Sequence, residues 1–218
     1  ASTGAVPTIA DTLAATHDDP ADNAWDQAAE IDLALDGSET VTIDEAGAYR
    51  LSGTLSDGGL VIDSGGDDTV WLILDGVDIS NSSGAAIAVL DAGKTVVWLA
   101  EGSVKHLSDA ADYVFPDAAT DEPNAALYSA DDLTVAGSGE LSVEANYNDG
   151  ITSKDGLVIT DGTISVTAAD DGIRGKDYLV ITDGAIDITA DGDGLTSDNE
   201  EDAYLGYVSI SGGTIDVI

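Results

Sequence analysis

Short alternations of β-branched and polar residues, separated by turns, dominate the hydrophobic pattern of this chain. Residues 163–167 (TISVT) and 186–188 (IDI) alternate with a period of two, and Asp-Gly pairs at 161–162 and 183–184 precede them. This alternation is typical of β-strands with one buried face, and Asp-Gly is typical of turns. No window shows the period of an amphipathic helix. The chain is therefore predicted to be all-β.

The same residues return along the chain at an interval of 22 positions. Residues 148–151 (NDGI) recur as residues 170–173 (DDGI), and a third copy opens at residues 193–195 (DGL). A repeat of this length with two or three short strands has the size of one coil of a parallel β-helix, whose successive strands pair about 4.8 Å apart. A seven-stranded β-sandwich is the alternative, but it does not explain why identical side chains return at a fixed interval.

This repeat divides the chain into a short extension and one solenoid. Residues 1–37 are predicted to form an N-terminal cap or extension, and residues 38–218 a right-handed parallel β-helix with about 22 residues per coil. Acidic insertions at 108–123 and 198–205 are expected to leave the coils as loops. Within the extension, residues 22–30 are expected either to form a short capping helix or to lie over the first coil.

The charge balance removes several classes of partner. Of the 218 residues, 43 are Asp or Glu and only 6 are Lys or Arg, so the formal net charge is −37. Such an acidic surface repels nucleic-acid phosphates and anionic lipids and attracts cations. Zero Cys excludes disulfides and thiolate ligands, and the two histidines, 17 and 106, are too far apart in sequence to suggest a zinc site or a catalytic triad.

Membrane insertion is not expected, because no apolar run approaches the roughly 18 residues of a membrane span. The chain opens at Ala1 without the charged and apolar regions of a signal peptide. We interpret this as the processed end of a mature secreted protein, located in the extracellular space or at the cell surface.

Several motifs rich in Asn, Asp and Gly resemble one known family. The motifs are residues 51–55 (LSGTL), 122–126 (EPNAA), 146–151 (NYNDGI), 169–177 (ADDGIRGKD) and 192–195 (GDGL). They are similar to the calcium-binding carbohydrate-binding parallel β-helix proteins, a pectate-lyase-like family of secreted bacterial proteins. This resemblance implies a right-handed parallel β-helix, bound calcium and binding of plant polysaccharides such as cellulose and pectin.

Stacking the repeats places acidic side chains above one another. Asp149, Asp171 and Asp193 fall in one column, with Asn124, Asn148 and Asp170 in the next. Two carboxylates about 4.8 Å apart repel by about 3 to 4 kcal/mol at an effective dielectric constant near 20. Without a cation, this repulsion would push apart the stacked repeats, which we call rungs. A cation midway between rungs lies about 2.4 Å from each oxygen, which suits Ca²⁺ better than Mg²⁺. We therefore predict Ca²⁺ as the cofactor.

Three more residues complete the predicted metal ligands. Asp191 lies beside the column, and Asn199 and Asp202 in the second insertion are expected to fold back on the last rung. The alternative is a set of Asp-Gly turns on an acidic surface typical of a salty habitat, in which Asp only forms turns. That alternative explains the isolated Asp-Gly pairs but not the doublets at 148–149 and 170–171.

Basic residues near this column are the candidates for catalysis. Lys154 and Lys176 stack one repeat apart, close to Arg174. In a lyase, a basic side chain beside calcium removes the proton α to a uronate carboxylate. The alternative is that these residues neutralise the acidic column as ion pairs, and the third copy has Asp198 in place of the lysine. We therefore do not expect catalysis, and a calcium-dependent polysaccharide lyase is the alternative.

Aromatic side chains near the turns are candidate sugar platforms, because their flat apolar faces can cover pyranose rings. Tyr147 and Tyr178, together with Arg174 and Lys176, are the predicted carbohydrate-binding residues. The predicted function is therefore binding of a plant-type or uronate-containing polysaccharide without catalysis.

A structural role is the second alternative. An open last strand at residues 210–217 presents unpaired backbone groups that invite end-to-end addition of further copies, as in an extracellular filament or matrix.

Among the large aromatic residues, Trp71 and Trp98 lie inside apolar strands and are expected in the core.

Overall fold

The computed structural model describes residues 16–115 and 119–218, and nearly all of its regular structure is β-strand. The strands are, in chain order, β1 Ile31–Gly37, β2 Val41–Ile43, β3 Gly47–Leu55, β4 Leu60–Asp63, β5 Thr69–Ser80, β6 Ile87–Asp91, β7 Lys94–Leu99, β8 Val104–Ser108, β9 Ala125–Ser129, β10 Leu133–Ala136, β11 Glu140–Ala145, β12 Asp149–Ser153, β13 Gly156–Ile159, β14 Thr163–Ala168, β15 Ile173–Gly175, β16 Tyr178–Ile181, β17 Ala185–Ala190, β18 Leu195–Thr196, β19 Tyr207–Ile210 and β20 Thr214–Val217. Two single-turn 3-10 helices, Pro20–Asn23 and Gln27–Ala29, precede them. The all-β prediction is confirmed.

These strands form two curled sheets in which the described pairings are parallel. The smaller sheet has seven strands, in the order β18-β15-β12-β9-β6-β4-β2. The larger has thirteen, because the long strand β5 pairs with β7 through residues 69–74 and with β8 through residues 78–80. The first wing is the half of the larger sheet formed by β7-β10-β13-β16-β19, together with residues 69–74 of β5 and residues 47–51 of β3. The second wing is the half formed by β8-β11-β14-β17-β20.

The pairing register reproduces the interval of the sequence repeat. Residues 22 positions apart pair directly on all three sides of the molecule: Ile151 with Ile173, Leu157 with Leu179, and Ile164 with Ile186. Parallel pairing between successive repeats contradicts the β-sandwich alternative, because a sandwich of that kind is built from antiparallel strands.

Inward-pointing side chains stack into one continuous core between the sheets. In β14, Ile164 and Val166 point inward and lie directly on Ile186 and Ile188 of β17, and each of the four is at most 2% exposed. The intervening residues of β14 are exposed, as the period-two alternation requires. Each fully buried side chain of this kind contributes about 1.5–3 kcal/mol, so the repeated column supplies much of the stability.

A lysine occupies one of the inward positions of β8. Lys105 pairs with Leu141 and is fully buried, and its Nζ donates hydrogen bonds to the carbonyls of Ala100 at 2.5 Å and Ser103 at 2.6 Å. Gly139 leaves room for it, because a Cβ there would lie 2.2 Å from Nζ. Burial lowers the pKa of Lys105, since desolvation disfavours its charged form.

The outer face of the first wing is apolar. Trp71 and Trp98 point outward there and pack with Trp25, whose ring centroid lies 5.1 Å from that of Trp98. Alternation turns Val70 and Leu99 into the core and the two tryptophans out of it. The expectation that Trp71 and Trp98 lie in the core is corrected accordingly: both are half-buried on the outside of the sheet.

Residues 16–30, which we call the strap, lie over this face, and their helical structure is limited to the two single-turn 3-10 helices. The strap reaches Tyr178 in β16 at one end and Arg50 in β3 at the other. Strand β1 begins directly after it at Ile31, ahead of the predicted boundary between residues 37 and 38, and pairs with β3. Residues 1–15 of the predicted extension lie outside the described residues.

Two loops occupy the positions of the predicted insertions. The first joins β8 to β9, and its residues 116–118 lie outside the described residues. The second joins β18 to β19, and its Leu205 packs with Tyr207 against Val158, Tyr178 and Val180 on the outer face of the first wing. Among the described residues, no helix has the length and apolar character needed to span a membrane.

Candidate functional site

A column of outward-pointing side chains runs along the seven-stranded sheet. By register it comprises Thr42, Val61, Ala88, Tyr128, Thr152, Arg174 and Thr196. Ile151 and Ile173 point into the core, so alternation directs the adjacent Thr152 and Arg174 outward. The column is apolar in β4 and β6 and polar from β9 onward, and the polar part carries the candidate site.

Arg174 and Asp149 form the centre of this polar part. Arg174 Nη1 lies 3.9 Å from Asp149 Oδ2, and Nη2 donates to Asp198 Oδ2 at 2.5 Å. Thr152 Oγ1 also donates to Asp149 Oδ2, at 3.0 Å. Asp149 is only 2% exposed, and burial raises the pKa of its carboxyl to about 6, because desolvation disfavours the anion. This carboxylate is short of positive charge and is stabilised by any cation that reaches it.

The predicted acidic column is assembled on adjacent rungs. The backbone N–H of Asp171 donates to Asp149 Oδ1 at 3.3 Å, and that of Asp193 donates to Asp171 Oδ1 at 2.8 Å. Asn148 Nδ2 donates to Asp149 Oδ1 at 3.0 Å. Burial raises the pKa of Asp171, and the charges of Asp170 and Asp193 raise it further. Asp149 and Asp171 therefore each receive one backbone N–H from the next rung, which only partly offsets the repulsion along the column.

The other predicted metal ligands lie at different distances from this column. Asp170 donates its N–H to the carbonyl of Asn148, and Asp170 and Asp191 are exposed. Asn199 Nδ2 donates to Asp177 Oδ1 at 2.6 Å, and Asp202 accepts from the N–H of Tyr204. The described side-chain contacts of Asn199 and Asp202 therefore lead to Asp177 and into the loop itself, not to the acidic column.

An unpaired oxygen lies one rung below Asp149. Asn124 Oδ1 is buried and has no hydrogen-bond partner in the described part of the chain, while its backbone carbonyl accepts from the N–H of Asp149 at 3.2 Å. A buried acceptor without a donor is uncommon and needs a physical reason. The acidic column and the Asn124 side chain offer oxygen atoms as metal ligands, and Ca²⁺ prefers oxygen ligands. Across residues 16–115 and 119–218, no three His, Asp or Glu side chains converge as a ready-made metal cluster.

The two predicted lysines have different surroundings. Lys154 Nζ contacts Glu122 Oε1, and the hydroxyl of Tyr128 donates to the other oxygen of Glu122 at 3.0 Å. Lys176 forms no ion pair with the described residues, and its carbonyl accepts hydrogen bonds from the second loop, among them one from the N–H of Asn199 at 2.9 Å. Sequence reasoning missed Glu122 as the partner of Lys154, because the 32 positions between them do not follow the repeat.

Aromatic rings line the start of the first loop. Tyr113 stacks on the predicted sugar-binding residue Tyr147 with centroids 4.3 Å apart, and Phe115 lies 6.1 Å from Tyr147. The hydroxyl of Tyr113 donates to Asp109 at 2.6 Å, and burial raises the pKa of this tyrosine. The other predicted platform, Tyr178, is 6% exposed, so its ring is covered while the strap is docked.

Comparisons with known proteins bear on this site. Residues 37–218 match the family of carbohydrate-binding domain-containing proteins. The chain belongs to this family. A carbohydrate-binding domain-containing protein of Acetivibrio thermocellus is 49% identical over 177 residues, which cover 81% of this chain and 62% of that relative. The chain thus spans under two thirds of the relative's length.

A solved structure is also similar to this chain. The polysaccharide lyase-like protein from C. thermocellum, determined as a gadolinium derivative, is 40% identical with a TM-score of 0.82, and the match covers 87% of this chain and 81% of that one. The family match includes Asp149 and Arg174 but begins after the strap.

Proposed function

We propose that this protein is a calcium-dependent polysaccharide-binding protein that acts outside the cell and does not cleave its ligand. The observation that carries the proposal is the polar cluster on the seven-stranded sheet, where Arg174, the buried Asp149 and the Asp171 rung meet beside the aromatic rings of the first loop. Membership of a carbohydrate-binding family supports a polysaccharide as the partner.

We further propose that the strands wind as a right-handed parallel β-helix with about 22 residues per coil. Direct pairing of residues 22 positions apart in β12 with β15, β13 with β16 and β14 with β17 supports the coil length. The hand is expected from a general rule, since crossovers between parallel strands of one sheet are right-handed in about 98% of cases.

The polysaccharide is proposed to lie along the outer face of the seven-stranded sheet, beside the first loop. Two cavities of about 490 and 290 Å³ share Leu90 and Pro123 there. Their walls combine rings, apolar side chains and carboxylates: Tyr113, Phe115, Tyr128, Ala88, Asp121 and Glu122. Apolar walls with a few polar groups are the usual lining of a ligand site. Arg174, two strands beyond Tyr128 in the same column, supplies a cation for an acidic sugar, and Lys176 remains the second proposed cation.

Calcium is proposed to bind between rungs, held by Asp149 and Asp171, with a second ion between Asp171 and Asp193. Asn148 and Asp170 assist in the neighbouring column. The unpaired Asn124 Oδ1 supports an additional oxygen ligand at the first position, because a cation would satisfy it. Asp191, Asn199 and Asp202 stay predictions as outer ligands.

Thermal unfolding with calcium or with chelator tests this metal site. An ion that binds only the folded protein stabilises it by about 2.7 kcal/mol at one hundred times its Kd, so calcium should raise the melting temperature with concentration. Asp171→Ala should abolish the increase, whereas Asp187→Ala, which removes an exposed carboxylate from β17, should keep it. Equal melting temperatures with calcium and with chelator would show that the aspartates only form turns.

Binding is preferred to lyase chemistry because Arg174 is held as a cation. A general base must release its proton near the working pH. Burial alone would lower the pKa of Arg174, but the hydrogen bond to Asp198 and the charges of Asp149 and Asp171 raise it above its usual value. A guanidinium in this state binds a carboxylate well and removes a proton poorly.

Assays on polygalacturonate and cellulose in calcium separate the two functions. A pull-down measures binding, and absorbance of unsaturated uronides measures cleavage. Retention without cleavage, weakened by Arg174→Gln, is the expected result. Cleavage that disappears in Lys176→Ala would instead establish the lyase, and no retention on either polymer would refute the proposed function.

A further inference from the structure

The strap is attached to the first wing by charged side chains. Glu30 accepts hydrogen bonds from Arg50 at 2.8 and 3.3 Å, and the Asp22 side chain, 5% exposed, forms an ion pair with Lys94. Thr134 also donates to Asp22, at 3.1 Å. Two of the six basic residues of the chain therefore hold the strap, although 43 acidic residues compete for them.

At the β16 end, a histidine completes the attachment. His17 Nδ1 lies 2.8 Å from the hydroxyl of Tyr178 and 3.1 Å from Asp132 Oδ1, and its Nε2 lies 3.1 Å from Thr134 Oγ1. Each of the hydrogen bonds that join residues 17–30 to the strands uses at least one side chain. The strap is thus not part of the sheet.

The surface under the strap is aromatic and apolar. Trp71 and Trp98 lie on the adjacent strands β5 and β7 of this outer face, and Ile73, which pairs with Trp98, belongs to the same cluster. Trp25 is the only large apolar residue that the strap places on this surface. A segment with one apolar anchor and no ladder of backbone hydrogen bonds belongs to the part of a protein that opens locally at low free energy, while the sheets beneath remain folded.

We propose that the strap is a releasable cover, and that Trp71 and Trp98 beneath it form a second polysaccharide-binding surface. Flat tryptophan faces on a rigid sheet suit the apolar faces of pyranose rings, so the ligand is a glucan chain without a need for charge. This inference rests on the proposed function. It adds a site on a face that the calcium column does not reach and that is closed while the strap is docked.

Tryptophan fluorescence reports the strap directly, because all three tryptophans of the chain belong to this cluster. In the full chain, Asp22→Asn with Glu30→Gln removes both ionic anchors. Acrylamide quenching should rise by about twofold while far-ultraviolet circular dichroism stays unchanged, as expected for local opening. The control, Asp187→Asn with Glu101→Gln, changes the charge equally at exposed positions and should quench like the original protein. Unchanged quenching in the folded strap variant would show that the strap is not a releasable cover.

A second variant keeps the test decisive if the first one fails to fold. Trp25→Ala removes the apolar anchor and leaves both ion pairs in place. Quenching of the remaining Trp71 and Trp98 should increase in the folded protein. If this variant also loses its β-sheet circular dichroism, the strap is an integral part of the fold and the proposal is wrong.

Cellohexaose titration then tests the surface. The strap variant should bind cellohexaose at least about tenfold more tightly than the control, a difference of 1.4 kcal/mol, and the sugar should protect its tryptophans from acrylamide. Adding Trp71→Ala and Trp98→Ala should remove that gain. If quenching increases but cellohexaose affinity does not, the strap is a releasable cover and Trp71 and Trp98 do not form a second binding surface. Failure of the original protein to bind polygalacturonate or cellulose would refute the proposed function while the quenching result stands.

Discussion

The outer faces of the seven-stranded sheet and of the first wing differ sharply, although both cover the same core. The first presents Arg174, Thr152 and the buried Asp149 beside an open groove. The second presents Trp71 and Trp98 under the strap. One face carries charged side chains, and the other is aromatic and covered by the strap.

This contrast follows from the different surroundings of the inward and outward side chains of each repeated strand. Inward positions repeat because each rung must fill the same space, as Ile164 and Ile186 do. Outward positions meet solvent or a covering segment, so they are free to differ from rung to rung. Arg174, Trp71 and Trp98 occupy such outward positions and do not recur in the next repeat, whereas Asp149 and Asp171 follow the repeat.

The largest effect on stability is expected from a substitution that separates adjacent rungs, because the outer faces of both sheets depend on this stacking. A Cβ at Gly172 would lie 2.4 Å from Ile188 Cγ2 and 2.6 Å from the carbonyl of Gly194, so Gly172→Ala should separate adjacent rungs. We expect a loss of about 3 kcal/mol in the free energy of unfolding, measured by denaturant titration. Gly84→Ala, whose nearest heavy atom would be 3.6 Å away, should change it by less than about 0.5 kcal/mol. Equal losses would mean that rung spacing does not limit the structure.

Much of this interior was predictable from the sequence. The interval of 22 positions predicted the parallel partners, since identical side chains must lie above one another to fill a repeated core. It also placed Asp149, Asp171 and Asp193 in one column, and hydrogen bonds join Asp149 to Asp171 and Asp171 to Asp193.

The coverings of the two faces were not predictable in the same way. The contact of His17 with Tyr178 spans 161 positions and occurs once, so no periodic signal marks it. Trp71 and Trp98 looked like core residues, because an apolar outer face with its own cover has the same hydrophobic pattern as a strand buried on both sides. Lys105 breaks the inward pattern, and only the carbonyls at the neighbouring turn explain it.

The next largest effect compares one lysine on each face. Lys94 pairs with an Asp22 side chain that is 5% exposed, whereas Lys154 pairs with a Glu122 side chain that is 40% exposed. Lys94→Met leaves a buried carboxylate unpaired and should cost about 2 kcal/mol of strap docking, discounted from a fully buried pair. Lys154→Met should cost less than about 1 kcal/mol. Thermal unfolding and tryptophan quenching measure both, and a reversed order would contradict the assignment of the strap as ion-paired.

Acid titration should act on the two faces in opposite directions. The hydrogen bond from Arg50 lowers the pKa of Glu30, so its contribution is present above the ordinary glutamate pKa and is lost as pH falls below it. Burial raises the pKa of Asp149 to about 6, so the metal-free protein gains stability as pH falls through 6. Melting temperatures in chelator should therefore rise from pH 7 to pH 5, and tryptophan quenching should increase only below about pH 4. A melting temperature that falls steadily from pH 7 would contradict this division.

The smallest effect distinguishes the predicted sugar platform Tyr147 from Tyr207, a tyrosine on the covered face. Tyr147 stacks on Tyr113 beside the open groove, whereas Tyr207 stacks on Tyr178 with centroids 5.8 Å apart on the covered face. An aromatic contact contributes about 0.5–1.5 kcal/mol, so Tyr147→Leu should weaken polysaccharide binding by about two- to tenfold. With the strap docked, Tyr207→Leu should leave affinity unchanged. Calorimetric titration of both variants with oligogalacturonate in calcium measures the difference, and a larger loss at Tyr207 would move the binding site to the first wing.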